Sequence, residues 1–287
     1  MQILLTGATG LLGEAFLRLL SDGAHQVTAV TRETMDLSNL SSVSEYLSDA
    51  DFDLLINPAG MTGLEQCLDA PELAYTVNAE APALMARICA EKGAKMVHFS
   101  TDYVFCGGYD KSLLETDSTE PVSDYGKSKL AGELAVLQHD ESVLVCRVSW
   151  LFGKGRAAVI DQVYQKTLAG EQMEYITDKW SVPTYADDVV SAVMALVELE
   201  QSGVYHVCSD DAPVSWWEYA HGVSTLAYEL GRVSQTSVIG KTKLKDIQAF
   251  RAARPTHTAM SCNKLKDTGI SMRPWKEAAR EFINTQL

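Results

Sequence analysis

The sequence has no excess of basic residues. Its 287 residues include 38 acidic and 24 basic side chains, which gives a formal net charge of −14. Because a protein that binds the phosphate backbone usually presents a basic face, nucleic acid is not the expected partner. Long apolar runs are missing too, so no membrane-spanning segment is predicted. The first residues enter an apolar segment without a preceding basic region, and we therefore expect no signal peptide.

Paired cysteines and metal-binding patterns are also missing. None of the six cysteines forms a C-x-x-C pair, and the six histidines show no spacing typical of metal ligands. The sequence therefore predicts no metal site. Most of the cysteines lie in apolar or helical contexts, which is typical of buried free thiols and fits a reducing compartment, the cytoplasm. The cysteines are Cys67, Cys89, Cys106, Cys146, Cys208 and Cys262.

The first half of the sequence alternates short apolar segments with helical patterns. The apolar segments lack strict alternation, as expected of strands in a sheet that is covered on both faces. This order predicts an α/β fold with a Rossmann-type, doubly wound parallel sheet. The predicted strands are residues 3–6, 26–30, 54–57, 95–100 and 143–147, and the predicted helices are residues 10–20, 73–90 and 125–137.

The pattern becomes less regular after about residue 150. We place a domain boundary near Gly153, with a cofactor-binding Rossmann domain at residues 1–153 and a smaller α/β substrate lobe at residues 154–287. The chain is expected to cross between the two lobes more than once. In this half, helices are predicted at residues 157–169, 186–199, 216–230 and 275–284, and a strand at residues 204–208.

The first predicted strand runs into a glycine-rich turn, Gly7-Ala8-Thr9-Gly10-Leu11-Leu12-Gly13, and then into a helix. Glycines permit a tight turn and a close approach of the backbone to a pyrophosphate. The helix N-terminus adds free N–H groups and the positive end of a dipole. The sequence therefore predicts a dinucleotide site. Its candidate residues are Gly7, Thr9, Gly10, Leu11, Leu12 and Gly13.

The second predicted strand ends at Thr31-Arg32, where such a fold meets the adenosine ribose. An acidic residue there would repel a 2′-phosphate, whereas a guanidinium can pair with it. We therefore expect NADPH as the cofactor, with NADH as the alternative. Asp36 and Leu37 follow shortly afterwards and are expected to border the adenine.

A tyrosine and a lysine lie four residues apart in the predicted helix at 125–137. Helical geometry places Tyr125 and Lys129 on one face. A nearby ammonium is expected to lower the pKa of the phenol, which can then act as a general acid or base. Thr101 follows the predicted strand at 95–100, and ligands bind beyond the carboxyl ends of parallel strands. These three side chains are the candidate proton-delivery unit.

Several motifs resemble those of the extended short-chain dehydrogenase/reductase family, and most closely its dTDP-4-dehydrorhamnose reductase group. The resemblance implies that Thr101, Tyr125 and Lys129 form a catalytic triad. It implies hydride transfer from the nicotinamide to the C4 keto carbon of a nucleotide-linked 6-deoxysugar. The matching stretches are Ser100-Thr101-Asp102-Tyr103-Val104-Phe105, Tyr125-Gly126-Lys127-Ser128-Lys129-Leu130-Ala131-Gly132-Glu133, Arg147-Val148-Ser149-Trp150-Leu151-Phe152-Gly153, Val182-Pro183-Thr184 and Arg254-Pro255.

The resemblance also supplies the remaining candidates. The cofactor would contact Ala59, Gly60 and Thr62, in addition to Tyr125 and Lys129 of the triad. Arg254 could pair with the substrate diphosphate, or it could form a salt bridge between the lobes. The substrate candidates are Thr101, Tyr103, Val104, Trp150, Trp180 and Arg254.

The chain departs from the resembling group at three places around the expected pocket. Met61 stands where an aromatic hydroxyl is usual, and Cys106 stands where an aspartate is usual. Lys179-Trp180-Ser181 replaces a segment that commonly contains glutamine. These changes bear on the substrate more than on the class of reaction.

Other interpretations remain open. Related dehydratases follow the active-site threonine with Asp-Glu, whereas this chain has Asp102-Tyr103, which favours a simple reductase. A sugar-nucleotide 4-epimerase would need room for the sugar to rotate. A cofactor-binding regulatory subunit that resembles the beta subunit of methionine adenosyltransferase would bind a partner enzyme without turnover. The expected partner is a nucleotide-sugar, and whether two copies of the chain form a homodimer is open.

Overall fold

A parallel β-sheet forms the centre of the computed structural model, which describes residues 1–21, 23–108 and 110–286. Further short strands lie in the second half of the chain. The strands are β1 (Gln2–Leu5), β2 (Gln26–Ala29), β3 (Leu54–Asn57), β4 (Lys95–Thr101), β5 (Leu144–Val148), β6 (Leu151–Phe152), β7 (Met173–Ile176), β8 (Trp180–Ser181), β9 (Thr184–Tyr185), β10 (Gly203–His206), β11 (Val214–Ser215) and β12 (Ile239–Thr242).

Helices connect these strands. Within the described residues, none of them combines the length and the apolar character that a membrane crossing requires. The helices are α1 (Leu11–Leu19), α2 (Leu40–Asp49), α3 (Leu64–Asp69), α4 (Pro71–Tyr75), α5 (Ala81–Lys92), α6 (Asp124–His139), α7 (Val159–Leu168), α8 (Ala186–Glu198), α9 (Trp216–Glu229), α10 (Asn263–Asp267) and α11 (Trp275–Asn284).

The six strands of the main sheet run in the order β10-β5-β4-β3-β1-β2, and every neighbouring pair is parallel. The order reverses between β1 and β3, so the connections that leave these two strands turn in opposite directions. In such sheets a crevice opens outside the carboxyl ends of the strands at the reversal. The predicted doubly wound parallel sheet is confirmed.

Both faces of the inner strands of the sheet are buried, which explains their apolar runs. Along β1, Ile3 and Leu5 join the hydrophobic cluster under α1 and α8, which contains Phe16. Leu4 points to the opposite cluster under α2, α5 and α6, which contains Met85. Because alternate residues of a strand face opposite sides, a strand covered on both faces must be apolar throughout.

The second half of the chain has a hydrophobic cluster of its own, in which α7, α9 and α11 pack around Trp275 and Phe282. Part of this half nevertheless belongs to the main sheet, because β10 pairs with β5 and α8 packs against α1. The boundary at residue 153 therefore stays a prediction.

One predicted helix, at residues 73–90, is wrong in its details. The structure has α4, then a π-helical segment at Thr76–Glu80, then α5. Pro82 has no N–H and therefore cannot donate to the carbonyl oxygen four residues earlier, which belongs to Asn78. The N–H of Ala81 donates to Thr76 O instead, a bond of the wider π type.

The π-helical segment packs very closely against α6. A Cβ atom added at Gly132 would lie 2.0 Å from the carbonyl oxygen of Asn78, which is backbone and cannot swing away. Glycine at this position therefore allows α6 to approach the segment.

We expect Gly132→Ala to lower the free energy of unfolding by about 1–3 kcal/mol, because the added methyl group overpacks this contact. Urea unfolding followed by circular dichroism would measure the change. Gly240→Ala is the matched control, since its Cβ would meet neighbouring atoms only at 3.5 Å or more. Equal unfolding midpoints for the two variants would contradict the proposed close approach.

Candidate active site

The glycine turn lies at the carboxyl end of β1, beside the reversal of strand order. Gly7 has a left-handed φ of +57°, and a Cβ atom there would lie 2.9 Å from Ala59 Cα. A Cβ atom at Gly13 would lie 2.1 Å from Gly7 O. Gly10 precedes α1 without a side-chain cap, so it leaves the first N–H groups of the helix to other partners. This cradle suits an anion such as a pyrophosphate.

The segment after β2 reaches the same edge, and Ala8 N donates to Val30 O at 3.4 Å. Arg32 is highly exposed, with 81% of its side-chain surface accessible, and its Nε lies 3.6 Å from Asp36 Oδ1. The N–H and hydroxyl of Ser38 bond to Asp36 and, with the charge of Arg32, lower the pKa of this carboxyl. Exposed ion pairs are weak, so Arg32 can turn to another anion at little cost. Leu37 is buried.

The segment after β3 is held by a residue that the sequence analysis missed. Buried Asn78 accepts a hydrogen bond from Met61 N at 2.8 Å and donates to Met61 O at 2.9 Å and to Ser128 Oγ at 3.0 Å. An amide in an otherwise apolar helical stretch was the only signal in the sequence. Asn78 therefore fixes the backbone around Ala59, Gly60 and Thr62 against α6.

Thr101, Tyr125 and Lys129 converge at this edge of the sheet. Thr101 ends β4, and its hydroxyl is near enough to the phenol of Tyr125, in the first turn of α6, to act on the pKa of that phenol. That turn is capped by Ser123, whose hydroxyl accepts from Gly126 N at 3.1 Å. Lys129 lies one turn further along and donates from Nζ to Phe99 O at 2.5 Å. A Cβ atom added at Gly60 would lie 3.8 Å from the same ammonium, so the segment after β3 borders the group.

The protonation of the group differs from the expectation. Burial raises the pKa of Tyr125, and the nearby Thr101 hydroxyl only partly offsets this. Burial also lowers the pKa of Lys129 to about 8. The pKa of the phenol is therefore raised in this state and not lowered as expected, because the cost of removing a phenolate from water is the largest effect on it. A phenol that keeps its proton near neutral pH is a proton donor.

The predicted substrate residues lie at different depths. Tyr103 places its ring edge-on to Tyr125, with the ring centroids 5.7 Å apart. Trp150, with a left-handed φ of +39°, packs against Trp216 and lines a small apolar cavity of about 90 Å³. Val104 is fully buried in the core under α1 and α8, so its side chain does not face the cleft.

Trp180 and Arg254 belong to the second half of the chain. Trp180 lies in β8, and its ring tilts against that of His257. Arg254 is buried, stacks 3.7 Å above the Phe250 ring, and donates from Nη2 to both carboxylate oxygens of Glu65 at 2.9 and 3.1 Å. Of the two alternatives for Arg254, the structure shows the salt bridge, which joins the second half of the chain to Glu65 of α3.

A parallel sheet with a glycine turn at its first strand–helix junction, and a threonine, tyrosine and lysine at its carboxyl edge, defines an extended short-chain dehydrogenase/reductase. The chain belongs to the family described as RmlD substrate binding domain, whose model matches residues 1–287.

Relatives and solved structures agree with this assignment. The dTDP-4-dehydrorhamnose reductase of Escherichia coli is 30% identical over 99% of this chain and 97% of its own. The spore coat polysaccharide biosynthesis protein SpsK of Bacillus subtilis is 29% identical over 98% and 96%. The crystal structure of a dTDP-4-dehydrorhamnose reductase from Bacillus anthracis, in complex with NADP, superposes with a TM-score of 0.91 at 26% identity over 99% of each chain.

We expect Asn78→Ala to lower the free energy of unfolding by about 1–3 kcal/mol, because it removes the acceptor for the part-buried N–H of Met61 and one of the two donors to the Met61 carbonyl oxygen. Chemical denaturation would measure the loss. Asn263→Ala, at an exposed position, is the control and should change stability by less than about 0.5 kcal/mol. Similar losses in the two variants would show that the amide does not hold the segment.

Proposed function

We propose that this protein uses NADPH to reduce the 4-keto group of a nucleotide-linked 6-deoxysugar. The convergence of Thr101, Tyr125 and Lys129 beside the glycine turn carries the proposal. The similarity to the dTDP-4-dehydrorhamnose reductase of Escherichia coli supports the proposed class of sugar substrate. The similarity to the solved reductase in complex with NADP supports the proposed cofactor. The direct test is oxidation of NADPH by freshly prepared dTDP-4-keto-6-deoxysugars, with the product configuration determined by NMR.

The residues present fit a dinucleotide, since a Cβ atom would fill the cradle at Gly7 and Gly13. When bound, NADPH supplies the hydride. The pyrophosphate would lie against the turn, the 2′-phosphate against Arg32 and the adenine beside Asp36 and Leu37. The remaining contacts are proposed for Thr9, Gly10, Leu11, Leu12, Ala59, Gly60, Thr62, Tyr125 and Lys129.

The side chains of the chain itself manage the proton. Tyr125 holds its proton at neutral pH, as phenols do, and it donates this proton to the oxygen of the former keto group as that oxygen becomes a strongly basic alkoxide. Thr101 donates a hydrogen bond to the same oxygen. The buried ammonium of Lys129 stabilises the phenolate that remains, since opposite charges interact strongly away from water.

The sugar nucleotide would lie between the two halves of the chain, with residues 154–287 as the substrate lobe. Tyr103 and Trp150 offer aromatic surfaces to it, and Trp180 offers another from β8. Arg254 would have to share its charge between Glu65 and a diphosphate. We further propose a cytoplasmic location. We also propose a homodimer, and analytical sedimentation would test this assembly.

The surroundings of Asp102 support reduction over dehydration. Its carboxylate is buried and accepts a hydrogen bond from Ser181 Oγ at 2.9 Å and another from Thr258 Oγ1. A carboxylate committed to these hydroxyls is poorly placed to exchange protons with a sugar.

We expect Tyr125→Phe to lower kcat at least about a hundredfold, which is the usual scale for loss of a general acid. The dissociation constant for NADPH should change far less, because the ring is retained. Stopped-flow turnover and fluorescence titration would measure the two quantities. Turnover within a few-fold of the unmodified enzyme would remove Tyr125 as the proton donor.

Arg32→Ala should weaken the binding of NADPH more than that of NADH, because only NADPH carries the 2′-phosphate. Calorimetric titration of both cofactors would measure the difference. Arg87→Ala is the matched control, since Arg87 is also exposed and forms an i,i+4 ion pair, with Glu91. An equal loss for both cofactors in the Arg32 variant would contradict the assignment.

A further inference from the structure

A buried carboxylate lies directly behind the proposed catalytic threonine. The hydroxyl of Thr101 donates to Asp102 Oδ1 at 3.2 Å, while Oδ2 accepts from Ser181 and Thr258. Thr101 has a single hydroxyl proton, which it can direct to Asp102 or to a sugar oxygen, so these two acceptors compete. The charge on Asp102 therefore bears on the reaction although the carboxylate itself does not face the cleft.

A fully buried lysine belongs to the segment that bonds Asp102 through Ser181, and its positive charge acts on this carboxylate. Lys179 Nζ donates to Pro255 O at 2.8 Å and lies 4.6 Å from the centroid of the Tyr103 ring. Burial raises the pKa of Asp102, and the charge of Lys179 pulls that pKa down. Burial lowers the pKa of Lys179 to about 8, and Asp102 acts in the opposite direction.

Each of these charges depends on the other. A buried carboxylate or ammonium is costly when it is alone, and removing one partner leaves an uncompensated charge. Lys179 and Ser181 both belong to the segment Lys179-Trp180-Ser181, which the sequence analysis singled out as a departure. The ammonium and the hydroxyl of this segment both act on Asp102, so the departure forms one functional unit.

We propose that Lys179 is a positioning residue for the reduction: by balancing the charge of Asp102, it leaves the Thr101 hydroxyl free to turn to the sugar oxygen. Without Lys179, an ionised Asp102 would be a stronger acceptor and would retain the Thr101 proton. The same ammonium holds the Tyr103 ring against Tyr125. This inference rests on the proposed reductase function.

Other ionisable groups around Asp102 affect the same equilibrium. The pKa values of two tyrosines and a cysteine respond to its charge. An arginine and a glutamate act on the pKa values of its neighbours. These groups are Tyr103, Tyr125, Cys208, Arg254 and Glu65. All of them are unchanged when Lys179 alone is substituted, so the comparison isolates the ammonium.

The test uses Lys179→Gln, in which an amide can still donate to Pro255 O but the charge is lost. We expect kcat to fall about tenfold near neutral pH, where the unmodified enzyme still carries the Lys179 ammonium and the variant does not. The difference should narrow as the pH falls through the Asp102 pKa, and also above the Lys179 pKa of about 8, where the unmodified enzyme loses the same charge. The dissociation constant for NADPH should be unchanged within about twofold. Lys179→Arg, which keeps the charge, should restore most of the turnover.

Asp102→Asn provides the matched background. In this background, Lys179→Gln should have almost no further effect on kcat, because no carboxylate remains to be balanced. Additive losses, or an unchanged kcat–pH profile in the single variant, would overturn the proposal. If Lys179→Gln alone does not fold, the double variant, which contains no unpaired buried charge, should fold; failure of both would assign Lys179 a structural role only and overturn the proposal.

A readout independent of turnover separates this inference from the proposed function. Carbon NMR of aspartate-labelled enzyme should show a higher Asp102 pKa in Lys179→Gln than in the unmodified protein. If that rise is seen while no ketosugar nucleotide is reduced by the unmodified enzyme, the reductase function fails and the electrostatic link stands. If turnover is normal and the Asp102 pKa does not move, the link fails.

Discussion

The buried ion pair between Glu133 and Arg147 is the interaction on which the position of the site depends. Arg147 belongs to β5, Glu133 to α6, and Arg147 Nε donates to Glu133 Oε2 at 3.0 Å with both side chains removed from solvent. Removing one partner of such a pair lowers the free energy of unfolding by several kcal/mol, because the other charge is left without compensation. The helix therefore has one position along the sheet, and Tyr125 and Lys129 are carried to the end of β4 with it.

The opposite side of α6 is fixed by the π-helical segment. Gly132 faces the carbonyl of Asn78, and Ser128 accepts from the side chain of the same asparagine. Asn78 in turn bonds both polar backbone groups of Met61. The helix that carries Tyr125 and Lys129 and the segment proposed to contact the cofactor are thus held by one residue. A π-helical turn loses the regular hydrogen bonds of an α-helix, and such turns are frequent at functional sites.

Sequence patterns predicted the parts of the fold that are locally determined. The strand at Leu54–Asn57 and the helix at Trp275–Asn284 were predicted to the residue, since each is a strongly patterned stretch between clear ends. The π-helical segment was not predicted, because a single proline and packing against α6 produce it. A salt bridge of Arg254 was one of the two alternatives, but its partner Glu65 could not be predicted because the two residues are 189 positions apart. The direction of the shift in the Tyr125 pKa was not predicted, because desolvation depends on the completed fold.

The charges at the carboxyl edge explain how a protein of net charge −14 can receive an anionic ligand. Exposed acidic residues are screened over about 8–10 Å at physiological salt, whereas buried charges are screened far less. Lys129 is buried beside the site and bonds to the backbone carbonyl of Phe99, a dipole that leaves the positive charge in place. The charges of Lys179 and Arg254, by contrast, are balanced by Asp102 and Glu65. The local field at the triad is therefore set mainly by Lys129, and the acidity of the surface has little effect on it.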